Sequence, residues 1–245
     1  MVKKTYNQQQ LKDKIESCKK CRRLTHYRKL VFRDRPIRFQ NESYWNKPVY
    51  GFGDSNAELL ILGSAPAAHG ANRTGRVFTG DKSSDFLMKY LNKHGLANLA
   101  YSNNLEDGLK LNNTYITDII RCAPPNDKPT GKEIENCRNY LINELSFFPN
   151  LKLVLALGKV AFDNYLKTIS ISEDHKYTEK FSHRKIYQLS DRLPLLMACY
   201  HPSPRNTNTG RLTEQDFDAV IQDTADILKN STHKMHLMLN SAQLE

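Results

Sequence analysis

This chain has no long apolar run. The longest, Leu59–Leu62, Leu153–Leu157 and Leu195–Cys199, have at most five residues, against the roughly 18 that a spanning helix needs, so no transmembrane segment is expected. The N-terminus carries Lys3 and Lys4 with no apolar stretch behind them, which argues against a secretory leader. Cysteine is sparse and odd in number, five in 245 residues. With no export signal beside it, that count speaks against a disulfide framework and for a reducing, cytoplasmic setting. Nucleotide fingerprints are missing too. Gly158-Lys159 is followed by Val160, not Ser or Thr, and the loop after Gly63 has no G-x-G-x-x-G. Repeats and low-complexity linkers are absent, so one domain over residues 1–245 is expected, with an N-terminal basic arm over about residues 1–48.

What the chain has in excess is positive charge. Its net charge is +10, and it is unevenly spread. Lys19, Lys20, Arg22, Arg23, Arg28, Lys29, Arg33, Arg35 and Arg38 crowd one segment, opposed by Asp34 alone. Such clustering suggests a polyanion partner, because neutralising phosphates releases condensed counterions. A solvated basic face is the alternative. On the first reading Arg28 and Arg33 meet phosphate. Tyr27, Phe32, Phe39, Tyr44 and Trp45 interleave with the cations, and we read most of them as pinning the segment to a core. Pro36, Pro48 and weak periodicity predict an irregular arm over residues 19–48.

Further on, apolar strands alternate with amphipathic helices. Strands are expected at Glu58–Gly63, Thr114–Ile120, Leu151–Leu157 and Leu193–Tyr200, and helices from about Ser83, from Thr130 to about Phe147, from Gly158 through Tyr165, and over Thr213–Lys229. The polar stretch 168–190 reads as a hairpin or excursion, and Ser231–Glu245 shows no clear anchor. This order specifies an α/β fold, a mostly parallel four-stranded sheet covered on both faces. In such sheets the site lies at the carboxyl ends of the strands, which gathers the loops 63–81, 118–129 and 200–206.

Two cysteine pairs stand apart from Cys199, which reads as a small buried hydrophobe. Cys18 and Cys21 form C-x2-C, and Cys122 and Cys137 form C-x14-C. Together they can tether the arm through a four-thiolate site. Zinc and an iron–sulfur cluster both accept four cysteines, and spacing does not choose between them. Phe78, in a Gly-rich loop at a strand end, offers a flat stacking face. His201 opens a Pro-rich loop at another.

The run Gly63-Ser-Ala-Pro-Ala-Ala-His-Gly-Ala-Asn-Arg-Thr-Gly-Arg-Val-Phe-Thr-Gly-Asp81 resembles the first motif of the family-5 uracil-DNA glycosylases, and His201-Pro-Ser-Pro-Arg-Asn206 resembles their second. Arg121-Cys-Ala-Pro-Pro125 and the cysteine spacing agree, so the resemblance spans roughly residues 15 to 225. It implies a three-layer α/β/α fold and a 4Fe–4S cluster on Cys18, Cys21, Cys122 and Cys137. It also implies monofunctional removal of uracil and other deaminated bases, hypoxanthine and xanthine, from double- or single-stranded DNA by a monomer associated with the nucleoid. It places Ala65, His69, Gly70, Ser203, Arg205 and Asn206 among the substrate-binding residues.

The chemistry of the residues is compatible. Such an enzyme takes its base out of the stack into a pocket, where Phe78 would stack on it and His201 would donate to the departing base. Pro202-Ser-Pro-Arg205 would enter the minor groove, with Arg205 on phosphate. No Asp or Glu lies between Gly63 and Phe78, where Ala67 and Ala68 stand. The nearest carboxylate beyond that loop is Asp81, for which the resemblance implies a water-positioning role, with a helix N-cap as its ordinary alternative. Asp118 stands where the family often has Asn. An amide donates and accepts, whereas an ionised carboxylate only accepts, so Asp118 either reads the base in protonated form or does not touch it. A non-catalytic metal-containing DNA-binding relative with a decayed pocket is the competing reading.

Overall fold

A computed structural model describes residues 6–229. The stretch Ser231–Glu245 lies outside the described residues. Four parallel strands form the centre: β2 (Leu59–Gly63), β3 (Thr114–Asp118), β4 (Leu153–Leu157) and β6 (Leu195–Cys199). Two antiparallel edge strands of two residues each, β1 (Phe52–Gly53) and β5 (Ile186–Tyr187), extend the sheet to six in the order β1-β3-β2-β4-β6-β5. The expected count of four is corrected by these edges. They are too short to show an apolar alternation, and they exist because a neighbour offers its ladder. The fold is α/β, as expected.

Every residue of the four central strands is buried. Successive side chains point to opposite faces, so each strand feeds two cores. Leu60, Leu62, Val154, Ala156, Leu196 and Ala198 pack beneath α1 (Gln8–Glu16), α5 (Gly131–Leu145) and α6 (Lys159–Ser172). Leu59, Ile61, Leu153, Leu155, Leu195 and Met197 pack beneath α4 (Lys82–Lys93) and α8 (Glu214–Lys229). Cys199 is fully buried in the second core. That double burial explains why the strands read as apolar runs.

The basic segment is not the irregular arm expected. Residues Arg22–Arg33 form α2, with Leu24, Arg28 and Val31 buried on one face. Their spacing is helical, but the middle position carries an Arg, which hides the apolar stripe. Leu24 joins Leu11 and Ile15 in the first core. Arg28 is 5% exposed and Arg33 pairs with Asp34 at 2.6 Å. The expectation that Arg28 meets phosphate is therefore corrected: its guanidinium lies inside the protein.

Candidate active site

The four parallel strands lie in the order β3-β2-β4-β6 across the sheet, so the direction of winding reverses between β2 and β4. A crevice opens outside the carboxyl ends at such a reversal. Gly63, Asp118 and Gly158 lie at those ends, with His201 two residues beyond Cys199.

Gly63 ends β2, and the space beside it is filled from two sides. A methyl group there would stand 2.2 Å from Asp118 Oδ1 and 2.8 Å from Phe78 Cε2, so only glycine lets the carboxyl and the ring meet over the strand end. Phe78 holds φ at +46°, a left-handed conformation that a bulky L residue adopts only when its surroundings impose it. Its ring stacks on His201, with centroids 5.8 Å apart and planes at 26°. Gly158, at φ +93°, leaves room on the other side, where an added methyl would lie 3.3 Å from His201 Cβ. Burial pulls the His201 imidazole down to about 4, so it is neutral near pH 7 and carries one N–H donor.

Asp118 is 2% exposed, and while its backbone pairs with β2, its carboxyl makes no hydrogen bond or ion pair among the described residues. Burial pushes its carboxyl up to about 7, with Asp81 and Glu144 adding and Arg121 opposing. Below it, Arg121 and Glu144, each 1% exposed, pair at 2.5 Å, and Glu144 also accepts from Tyr115 and Thr117. The Arg121 guanidinium is thus directed at Glu144, and its charge acts on the Asp118 carboxyl only from a distance.

Asp81 divides its carboxylate. Oδ1 accepts from the backbone N–H groups of Ser83 at 2.9 Å and Ser84 at 3.0 Å, closing a capping box at the start of α4. Oδ2 faces Gly70, where an added methyl would approach within 2.0 Å. Burial raises the carboxyl above the usual carboxylate range. The cap geometry is thus present, and a second oxygen remains beside the loop.

The other expected site residues fall into two groups. His69 and Gly70 lie in the loop before α3 (Ala71–Thr74). His69 Nδ1 meets Tyr44 OH at 3.0 Å, and its backbone carbonyl accepts from Arg73 Nε at 2.8 Å. Ala65 is partly buried against the first core. Ser203 and Asn206 work on the second loop itself: the Ser203 N–H and Asn206 Nδ2 both donate to the His201 carbonyl, at 2.8 and 2.9 Å. Arg205, in α7 (Pro204–Thr207), is exposed and has no ion pair among the described residues. Sequence reasoning missed Arg73 and Arg76. Arg73 also reaches the Gly80 carbonyl and Glu42. Arg76 is buried on Asp107, Ser102 and Thr79. They hold the loop that carries Phe78. Two arginines within a loop otherwise short of charge were the available signal.

Among the described residues, no group of three or more His, Cys, Asp or Glu side chains is placed to hold a metal ion. The four thiols are nonetheless neighbours. Burial pushes Cys122 up to about 12, with Cys137, Cys18 and Cys21 adding to the effect and Arg28 opposing it. Arg28 Nε and Nη1 are buried without hydrogen-bond partners, as is Arg138 Nε one residue past Cys137. A buried guanidinium with unmet donors is costly unless an anion accompanies it. A thiolate-ligated, anionic centre fits that deficit.

The uracil DNA glycosylase superfamily model matches residues 50–225. A type-5 uracil-DNA glycosylase of Pyrobaculum aerophilum is 40% identical over 214 residues, covering 87% of this chain and 90% of its own. Those of Mycobacterium leprae and Thermus thermophilus are 41% and 40% identical over 215 and 209 residues. They cover 87% and 85% of this chain and 93% of their own lengths. This chain belongs to the type-5 uracil-DNA glycosylases. Type-4 uracil-DNA glycosylases are more distant, 23% identical for that of Sulfurisphaera tokodaii over 86% of this chain and 82% of its own. For a uracil-DNA glycosylase fold the crevice described above lies in the expected place, at the strand ends.

Proposed function

We propose that this chain is a monofunctional glycosylase that hydrolyses the N-glycosidic bond of deoxyuridine in DNA, as the first step of base excision repair. The observation that carries the reading is the convergence of Phe78, His201, Asp118 and Asp81 at one crevice. A flipped base slides against Phe78. Asp81 Oδ2 orients a water and takes its proton as the water oxygen bonds to the sugar C1′. The C1′–N bond breaks, and its electron pair leaves with the base. The neutral His201 N–H stabilises the charge that develops on the base oxygen. Protonated Asp118 donates to a ring keto oxygen and accepts from the adjacent N–H. Uracil, hypoxanthine and xanthine share that keto and N–H pair, so the reading extends to all three deaminated bases.

The test is single-turnover release of each base from an oligonucleotide with one lesion, for wild type and Asp81→Asn. Asn caps a helix about as well as Asp, so Asp81→Asn is expected to keep its melting temperature while losing rate on every lesion. A variant as fast as wild type would return Asp81 to capping alone. Lesion binding without release by the wild type would favour the non-catalytic reading.

Cys18, Cys21, Cys122 and Cys137 would hold a 4Fe–4S cluster, which would supply a rigid tie between α1, α2, β3 and α5. Buried, incompletely partnered Arg28 and Arg138 support an anionic group there. Purified protein is expected to be brown, with iron and sulfide in the proportion such a centre requires. A colourless, folded protein holding one zinc would replace the cluster with a zinc site.

A further inference from the structure

The most exposed large apolar residue described is Ile37, with 83% of its surface in solvent. It sits at the tip of a single 3-10 turn, Ile37–Phe39, entered through Pro36. The tip is not loose. Arg35 donates from Nε and Nη2 to the Gln40 carbonyl at 3.1 and 2.7 Å, and from Nη1 to the Phe32 carbonyl at 2.8 Å. The Gln40 N–H closes the turn onto the Ile37 carbonyl at 3.0 Å. Beneath the tip, Phe39 stacks on His69, with centroids 6.1 Å apart and planes at 30°. His69 precedes Gly70, which faces Asp81 Oδ2. Ile37 is therefore exposed two residues from a ring that stacks on the loop carrying Gly70, the glycine that faces Asp81.

Its surroundings are cationic. Arg38 lies over one side of Phe39 at 4.8 Å and Arg73 at 4.3 Å, and both hold the His69 imidazole below its ordinary range, after burial. Arg38 is exposed and has no ion pair among the described residues. Exposing an isoleucine in a rigid turn gains the fold nothing. Beside a basic rim it matches one occupant, the stacked interior of a duplex framed by its phosphates.

We propose that Ile37 is a wedge that enters duplex DNA beside the lesion, with Arg38 on the flanking phosphate, and so holds open the step from which the base is flipped. This rests on the glycosylase reading and adds to it a preference: the wedge matters where bases are stacked and paired, and not on a single strand.

The experiment compares wild type, Ile37→Ala and Ile37→Leu in single-turnover release of uracil from a duplex and from the same strand alone. Beside it, the fluorescence of 2-aminopurine placed next to an abasic-site analogue reports unstacking on binding. Ile37→Ala is expected to lose on the order of tenfold in rate on the duplex, to match wild type on the single strand, and to leave the 2-aminopurine dim. Ile37→Leu is expected to restore both signals. Equal losses on duplex and single strand, or no loss on either, would overturn the wedge. If wild type releases no uracil from either substrate, the glycosylase reading fails by itself. The fluorescence then decides the wedge: brightening with wild type and not with Ile37→Ala supports it, and equal brightening sinks it.

Discussion

Single-turnover release of uracil is expected to rise and then fall with pH, and the falling limb is expected to vanish in Asp118→Asn. On the proposed mechanism, Asp118 reads a keto oxygen only while it carries a proton. Its carboxyl, pushed up to about 7 by burial, loses that proton as pH rises through the neutral range, and the competent fraction then drops about tenfold per pH unit. Asn donates at any pH. On the same mechanism the rising limb is expected from Asp81, which would have to be ionised to accept the proton of water and whose carboxyl burial has raised. The two carboxyls interact, so the limbs report the pair. His201, at about 4, is neutral through the range and adds no limb. Rates of both proteins between about pH 5 and pH 9 decide the matter. A flat wild-type profile above neutrality would remove Asp118 from base reading.

The same substitution has a sign in stability. The folded state binds the Asp118 proton more tightly than the unfolded chain, so stability declines as pH rises from the ordinary carboxylate range to about 7, and stays reduced above it. A shift of that size corresponds to roughly 4 kcal/mol as an upper figure. Asp118→Asn is expected to melt higher than wild type at pH 8 and to lose that advantage in acid.

The second large effect is at His201. On the proposed mechanism His201→Ala removes the donor to the developing charge, and loss of one such donor typically costs about 2.7–4 kcal/mol of barrier, two to three orders of magnitude in rate. The loop itself is expected to survive, because Ser203 and Asn206 bond to the backbone carbonyl of residue 201 and not to its ring. Lesion affinity would weaken modestly, since Phe78 loses the ring stacked beneath it. A rate within about threefold of wild type would mean that backbone donors carry the leaving group.

The four central strands were legible because burial on both faces makes them continuous apolar runs. The Thr130 cap was legible because Glu133 stands three residues on, and the structure forms that capping box. The helix Arg22–Arg33 was not, since an arginine occupies its inward stripe, and charge pattern alone does not distinguish a guanidinium aimed at solvent from one aimed at buried thiols. Of the site, the loops and their residue types were readable. Three-dimensional facts were not: that the Asp118 carboxyl has no hydrogen-bond or ion-pair partner among the described residues, that Phe78 is held in a left-handed conformation, and that Ser203 and Asn206 support the His201 loop. Each depends on contacts between segments far apart in the chain.

If the proposed role of Asp81 holds, its divided carboxylate ties a local melting event to loss of chemistry. The two amides it caps belong to the first turn of α4, where helices fray first and at a fraction of the global unfolding free energy. When that turn opens, the oxygen that orients water loses its anchor. Heating is then expected to silence the enzyme some degrees below the temperature at which its sheet comes apart, with activity returning on cooling, and stiffening the start of α4 would extend the working range without raising the point of global collapse.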